Sequence, residues 1–215
     1  MSGNEKRKNR LFSFRYLIYD LIKITAGIPG LIWFRPKRYY ESEEAKKRIR
    51  GGALVISNHY GFFDPLYLMF AVWYRRHHFV CGREFFDGKW RYLFKAFLCI
   101  PVDRENFSMD SLRRITDELR AGSLVTIFPE GHISREPGGM SSFKTGMVLM
   151  ALRGKAPVIP IYVQPRPRFY SCLRFAIGNP IDIVSLYGER PTLSQIEEIA
   201  RNLRDKEEEL KTLIK

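Results

Sequence analysis

The chain has 215 residues, of which 45% are hydrophobic and 27% charged, and its formal net charge is +13. This length suits one well-buried domain and is short for two, and the composition excludes an intrinsically disordered chain. The three cysteines, Cys81, Cys99 and Cys172, have no C-x-x-C spacing. They argue against a disulfide framework or a zinc site and indicate reduced thiols in a cytosolic setting.

The N-terminal segment is basic and apolar. Residues 1–50 hold 13 Lys and Arg against 5 Asp and Glu, which predicts an anionic partner. The apolar stretch 11–34 is interrupted by charges, and its longest uncharged run, 24–34, is shorter than the roughly 20 residues of a spanning helix. Apolar and polar side chains fall on opposite faces at helical spacing, so we expect a helix lying in the membrane interface. An arm packed on its own domain is the alternative.

Beyond this segment, buried strands alternate with helices. A charged, helix-like stretch at 41–50 comes first. Short continuous apolar runs, typical of strands buried on both faces, predict strands at 53–57, 79–81, 99–102, 124–128, 158–163 and 175–177. Helices are predicted at 64–73, 90–97, between Ser108 and Gly122, at 143–152, and after a capping box formed by Thr192 and Gln195. The alternation predicts a single α/β domain at 41–215, with a mostly parallel central sheet flanked by helices, after an N-terminal membrane-associating helical arm at 1–40.

A histidine and a carboxylate follow the first predicted strand. His59 and Asp64 are five residues apart across a turn that contains Gly61, and such strand ends hold the ligand crevice of open α/β sheets. A carboxylate on one ring nitrogen would fix the imidazole tautomer, and the pair would then act as a general base. Asp64, which precedes Pro65, would also suit a helix N-cap, and the two roles do not compete.

A second polar segment follows the strand at 124–128. It contains Glu130 and Gly131, then the hydroxyl of Ser134 and the guanidinium of Arg135. With Lys144 further on, these groups could form an anion pocket in which Arg135 and Lys144 contact a phosphate. The alternative is that Gly131 and its neighbouring proline are simple turn residues.

Arg104, just beyond the strand at 99–102, is a further candidate for an anion contact, or else forms a surface ion pair with Asp103 or Glu105. The four histidines match none of the usual metal-ligand spacings, so no metal is expected. Basic and aromatic residues alternate at 85–97, but no nucleic-acid motif accompanies them, and we do not expect nucleic-acid binding.

Taken together and in this order, four motifs resemble those of the 1-acylglycerol-3-phosphate acyltransferase family, also called the glycerolipid acyltransferases. The motifs are Asn58-His59…Asp64, Val102-Asp103-Arg104, Phe128-Pro129-Glu130-Gly131 and Val158-Ile159-Pro160. The resemblance covers roughly residues 50–165. One departure is that the family commonly has Thr-Arg-Ser after Phe-Pro-Glu-Gly, whereas this chain has His132-Ile133-Ser134 followed by Arg135.

The resemblance implies an O-acyltransferase that needs no cofactor or metal. His59 would be the general base and Asp64 its partner, Arg104 would hold the acceptor phosphate, and Glu130 and Gly131 would belong to the acceptor-side loop. Asn58, which belongs to the first motif, is counted with the substrate-binding candidates. The donor would be acyl-CoA or acyl carrier protein.

The expected reaction acylates lysophosphatidic acid to phosphatidic acid in phospholipid biosynthesis. The expected location is the cytoplasmic face of the cell membrane, held at its anionic surface as a peripheral or monotopic protein. Two alternatives stay open at the level of the sequence: a different lyso-lipid acceptor, motivated by His132 and Ile133, and a non-catalytic lipid-binding protein, motivated by the N-terminal segment.

Overall fold

The computed structural model describes residues 14–103, 107–134, 140–166 and 171–214. Seven strands in these ranges form one sheet: β1 (Lys37–Tyr40), β2 (Ala53–Ser57), β3 (His77–Gly82), β4 (Ile100–Val102), β5 (Leu124–Ile127), β6 (Val158–Val163) and β7 (Arg174–Ile177). Their order across the sheet is β1-β7-β6-β2-β5-β3-β4. Neighbouring strands are parallel except β6 and β7, which are antiparallel. The predicted mostly parallel sheet is confirmed.

Helices cover both faces of the sheet. They are α1 (Phe14–Thr25), α2 (Gly27–Phe34), α3 (Glu43–Lys46), α4 (Asp64–Ala71), α5 (Arg91–Ala96), α6 (Met109–Arg120), α7 (Gly146–Gly154), α8 (Ile183–Tyr187) and α9 (Leu193–Leu210), with 3₁₀ turns at Arg83–Phe86 and Lys211–Leu213. The capping box predicted at the start of α9 is present in both of its hydrogen bonds. The single α/β domain with flanking helices is therefore confirmed.

The central strand β2 shows why the core has two halves. All five of its residues are buried, and alternate side chains point to opposite faces of the sheet. Leu54 and Ile56 pack in the core half beneath α6, α7 and α9. Ala53 and Val55 pack in the other half, with α4 and Tyr19 of α1. Continuous apolar sequence in β2 is thus the mark of a strand that is covered on both sides.

Two elements differ from their predicted form. The expected helix at 41–50 is only the four-residue α3, because tertiary hydrogen bonds hold the chain extended beyond it: Ile49 N–H donates to the Tyr74 hydroxyl at 2.8 Å, and Arg75 donates to the Ile49 carbonyl at 2.8 Å. Strand β1 was not predicted. Its sequence, Lys-Arg-Tyr-Tyr, lies at the edge of the sheet and is not fully buried, so it lacks the apolar run that marks the inner strands.

The N-terminal helices α1 and α2 pack on the domain along one side and are exposed along the other. Tyr19 is 1% exposed, and its hydroxyl accepts a 3.2 Å hydrogen bond from His77 N–H, while Asp20 forms an ion pair with Arg76. Their outer side carries exposed apolar residues: Leu17, Leu21, Ile24, Ile28, Ile32 and Trp33. By length and composition, the helical stretch Tyr16–Phe34 could cross a membrane. The charged residues in this stretch were the argument against a spanning helix. In the structure they do not make the helical stretch shorter.

Candidate active site

The site begins where two parallel neighbours end. Strands β2 and β5 are adjacent and in register, with Ile56 opposite Ile127. Because the carboxyl ends of parallel strands meet at one edge of a sheet, the segments that follow them meet there too. The rings of His59 and Phe128 stack with centroids 4.1 Å apart and planes 20° from parallel. The two motifs that were separate in the sequence thus form one site.

His59 and Asp64 are in hydrogen-bonding contact. His59 Nδ1 lies 3.1 Å from Asp64 Oδ2, and the two side chains are 13% and 8% exposed. The same carboxylate oxygen accepts the backbone N–H groups of Tyr60 at 2.6 Å and Gly61 at 2.8 Å. A carboxylate accepting from Nδ1–H leaves the lone pair on Nε2, which is the arrangement of a carboxylate-oriented imidazole base.

Asp64 is not the N-cap of helix α4. The N-cap of α4 is Phe63, and Asp64 is the first helical residue, followed by Pro65. The carboxylate of Asp64 bonds to the turn that precedes the helix. Its N-cap alternative is therefore replaced by a role in folding residues 59–61 around one oxygen.

Glu130 is buried and fully used in hydrogen bonds. It is 1% exposed; its Oε1 accepts His59 N–H at 3.1 Å, and its Oε2 accepts Ser141 N–H at 2.9 Å. His132, two residues later, is bound to the Glu130 carbonyl through Nδ1 at 3.0 Å and to the Ser141 hydroxyl through Nε2 at 3.2 Å. Glu130 therefore bonds to the backbone of His59, and the substrate contact predicted from the sequence stays a prediction.

The side chain of Asn58 is also hydrogen-bonded within the protein. The residue is 0% exposed. Its side-chain amide donates to the Val163 carbonyl at 2.9 Å and accepts Val163 N–H at 2.8 Å, which joins the ends of β2 and β6. Both ends of the amide have partners. The side chain thus has a structural role at the strand ends, and the substrate contact of Asn58 stays a prediction.

The remaining candidates line the second loop. Gly131 has φ +76°, a conformation that favours glycine, and the Lys144 side chain packs beside it, with Cε 2.8 Å from the place where a Cβ would lie. Lys144 is exposed, and its N–H donates to the Pro129 carbonyl at 2.9 Å. Ser134 N–H donates to the His59 carbonyl at 2.7 Å. Arg104 and Arg135 lie outside the described residues.

One carboxyl at the site, Glu207 on α9, was not predicted. Its Oε1 accepts Asn58 N–H, and the side chain is fully buried. A signal existed in the sequence, because position 207 falls at helical spacing between the apolar residues Leu203 and Leu210. Phe128 was recognised only as part of a motif, and its stacking on His59 has no signal in the sequence.

Comparisons with known proteins identify the family of the chain. A family model described as Acyltransferase matches residues 37–164, which is more than half of the chain. The chain therefore belongs to the acyltransferase family, as its motifs predicted.

Two curated relatives carry the same enzyme name. The chain is 32% identical over 114 residues to the 1-acyl-sn-glycerol-3-phosphate acyltransferase of Bacillus subtilis (strain 168), covering 53% of this chain and 56% of that protein. It is 29% identical over 140 residues to the enzyme of the same name from Streptococcus pneumoniae (strain ATCC BAA-255 / R6), covering 60% and 50%. The matched segment thus spans about half the length of these curated relatives.

A solved structure has the same fold. The crystal structure of the 1-acyl-sn-glycerophosphate (LPA) acyltransferase, PlsC, from Thermotoga maritima matches with a TM-score of 0.60 over 91% of this chain and 80% of that chain. Their sequences are 19% identical, so this likeness concerns the fold.

Proposed function

We propose that the protein transfers a fatty acyl group from a thioester donor to the free hydroxyl of lysophosphatidic acid, giving phosphatidic acid. The observation that carries the proposal is the contact between His59 and Asp64 at the end of β2, in a chain of the acyltransferase family. The acceptor class is taken from the Bacillus and Streptococcus relatives, which are named 1-acyl-sn-glycerol-3-phosphate acyltransferases. Acyl-CoA or acyl carrier protein is the donor.

In the proposed reaction, no covalent acyl-enzyme forms. His59 Nε2 accepts the hydroxyl proton while the hydroxyl oxygen attacks the thioester carbonyl carbon. The tetrahedral intermediate then collapses, the carbon–sulfur bond breaks, and the imidazolium returns the proton to the leaving thiolate. Asp64 stabilises the imidazolium between these two steps through its contact with Nδ1.

Backbone donors near His59 are already in use. The N–H groups of residues 58, 59, 60 and 61 all donate to carboxyl oxygens of the protein. None of these four groups is free to stabilise the oxyanion of the tetrahedral intermediate. The oxyanion would therefore need donors other than these four groups.

A cationic group at the second loop would bind the acceptor phosphate. Lys144 is exposed beside Gly131, on the loop that contacts His59 through Ser134. Ammonium and guanidinium groups form charge-assisted hydrogen bonds to phosphate. We assign Lys144 to this role, together with Arg104 and Arg135 as predicted from the sequence.

The membrane would hold the lysophosphatidic acid acceptor, and α1 and α2 are the proposed contact with it. Their exposed apolar side chains and the basic residues around them suit an anionic membrane surface. We place the protein at the cytoplasmic face, with residues 1–40 as the membrane-associating arm and 41–215 as the acyltransferase domain. Nucleic acid is not a proposed partner.

The test of the substrate is a panel of acceptors offered with acyl-CoA and, separately, with acyl carrier protein. Thiol release that depends on lysophosphatidic acid, with phosphatidic acid formed in equal amount, supports the proposal. Thiol release with none of the acceptors, while vesicle binding persists, would contradict it and favour a non-catalytic lipid-binding protein.

A second acceptor class rests on one observation. Ile133 is exposed in the loop beside the site, at a position where the family commonly has arginine. An apolar side chain there would not contact a phosphate. Stronger turnover of a lyso-lipid that lacks the glycerol phosphate would favour this alternative over lysophosphatidic acid.

A further inference from the structure

Three carboxyl groups accept hydrogen bonds from the backbone around His59. Asp64 accepts the N–H groups of Tyr60 and Gly61, Glu130 accepts that of His59, and Glu207 accepts that of Asn58. Asp64 and Glu130 belong to the motifs of the family. Glu207 lies on α9, beyond the segment 37–164 that the family model matches.

Glu207 bonds to the site through the backbone N–H of Asn58. The Asn58 side chain is fixed to β6 by its two hydrogen bonds to Val163, so the Asn58 N–H is the part of this residue that α9 holds. The next peptide begins at His59, whose N–H and carbonyl are bound by Glu130 and Ser134. The direction of the His59 backbone therefore depends on both sides of Asn58 being held.

We propose that Glu207 is a positioning residue for His59, acting as a neutral hydrogen-bond acceptor that anchors the Asn58 peptide to helix α9. The inference rests on the proposed role of His59 as the base. It adds that the C-terminal helix is part of the active-site support and that this support needs an acceptor at position 207 without a negative charge.

The surroundings of Glu207 explain why the neutral form is the relevant one. Burial raises the pKa of the Glu207 carboxyl well above its usual range; the negative charges of Glu130 and Glu208 raise it further, and the Asn58 N–H and Lys211 oppose them. The phenols of Tyr60 and Tyr162 also lie near the glutamates at this end of α9. Oε2 of Glu207 has no hydrogen-bond partner among the described residues, and a buried carboxylate with a bare oxygen would be costly.

The experiment compares Glu207→Gln with Glu207→Leu and Glu207→Asp in the full chain. Glutamine keeps a neutral acceptor of the same length, so kcat stays within about twofold of wild type. Leucine removes the acceptor, and aspartate moves it away from the Asn58 N–H. Each change should lower kcat by about 10–100-fold and change KM much less, because a displaced base slows the chemical step. Glu209→Leu, on the exposed side of α9, is the matched control and keeps wild-type kcat.

A spectroscopic measurement separates positioning from folding. The imidazole resonances of His59, followed by NMR, shift in Glu207→Leu and Glu207→Asp and stay in place in Glu207→Gln. Wild-type kcat in Glu207→Leu or Glu207→Asp, or a loss in Glu207→Gln as large as in Glu207→Leu, would overturn the inference. Those results leave the proposed function standing if His59→Ala is inactive; if His59→Ala turns over like wild type, the function itself fails.

Discussion

The ring of Phe128 lies flat against the imidazole of His59, with the two centroids 4.1 Å apart. Phe128 directly follows β5 and packs with the core half beneath α4. One face of the imidazole is thereby covered, while Asp64 holds one edge at Nδ1. What remains for an acceptor hydroxyl is the edge that carries Nε2.

This stacking predicts the effect of shortening Phe128. In Phe128→Ala the imidazole loses the surface that fixes its plane, and we expect kcat to fall about 10-fold because the base no longer keeps one orientation. Phe128→Leu restores much of the contact and should recover most of the activity. Steady-state kinetics check both. Equal kcat in wild type and Phe128→Ala would show that stacking does not orient His59.

Replacing the carboxylate tests the electrostatic part of the site. Asp64→Asn keeps the shape of the side chain but cannot stabilise an imidazolium, so we expect kcat to fall by about 10²–10⁴-fold. The same change at the exposed Asp87 is the matched control and should leave kcat unchanged. An Asp64→Asn enzyme within about twofold of wild type would show that the contact at 3.1 Å has no part in catalysis.

Asn58→Ala should affect stability as well as activity. It deletes both hydrogen bonds to Val163 and leaves that residue's buried N–H and carbonyl without their partner. Buried groups left in this state cost about 1–3 kcal/mol each. Urea unfolding should therefore show a lower free energy of unfolding, and an unchanged value would contradict the structural role assigned to Asn58.

The buried His77 predicts how stability depends on pH. Burial lowers the pKa of His77 to about 3, with Lys23 adding to the effect. The unfolded chain binds a proton at this residue below its usual pKa of about 6.5, whereas the folded chain does so only near 3. Stability is therefore lost as the pH falls from 6.5 towards 3, at a slope of about 1.4 kcal/mol per pH unit from this residue.

The measurement is urea unfolding of wild type and His77→Gln at pH 7, 6, 5 and 4. Carboxylates contribute equally to both proteins, so the difference between the two curves isolates His77. We expect the variant to lose less stability on acidification. Parallel curves would show that His77 does not contribute to the pH dependence of the free energy of unfolding.

Membrane contact is tested at α1. Leu17→Glu combined with Leu21→Glu places charge on the exposed apolar side of the helix, and binding to vesicles containing anionic lipid should weaken strongly. Leu186→Glu changes a similarly exposed leucine on α8 and should not affect binding. Equal binding by all three proteins would remove the proposed membrane contact from α1.

The sequence predicted what local patterns encode. Inner strands such as β2 and β6 follow from continuous apolar runs, and the meeting of the His59 and Glu130 segments follows from the rule that parallel strands end at one edge. Partners distant in sequence could not be predicted. The sequence did not indicate that the Asn58 side chain bonds to Val163, 105 residues away, or that Glu207 accepts a hydrogen bond from a peptide 149 residues away.

The most direct measurement of the central claim is the rate of thiol release from acyl-CoA, with lysophosphatidic acid as acceptor, by wild type and His59→Ala at equal concentration. The general-base role of His59 predicts a loss of at least about 100-fold in kcat and partial recovery when free imidazole is added. An active wild type together with an equally active His59→Ala would contradict it.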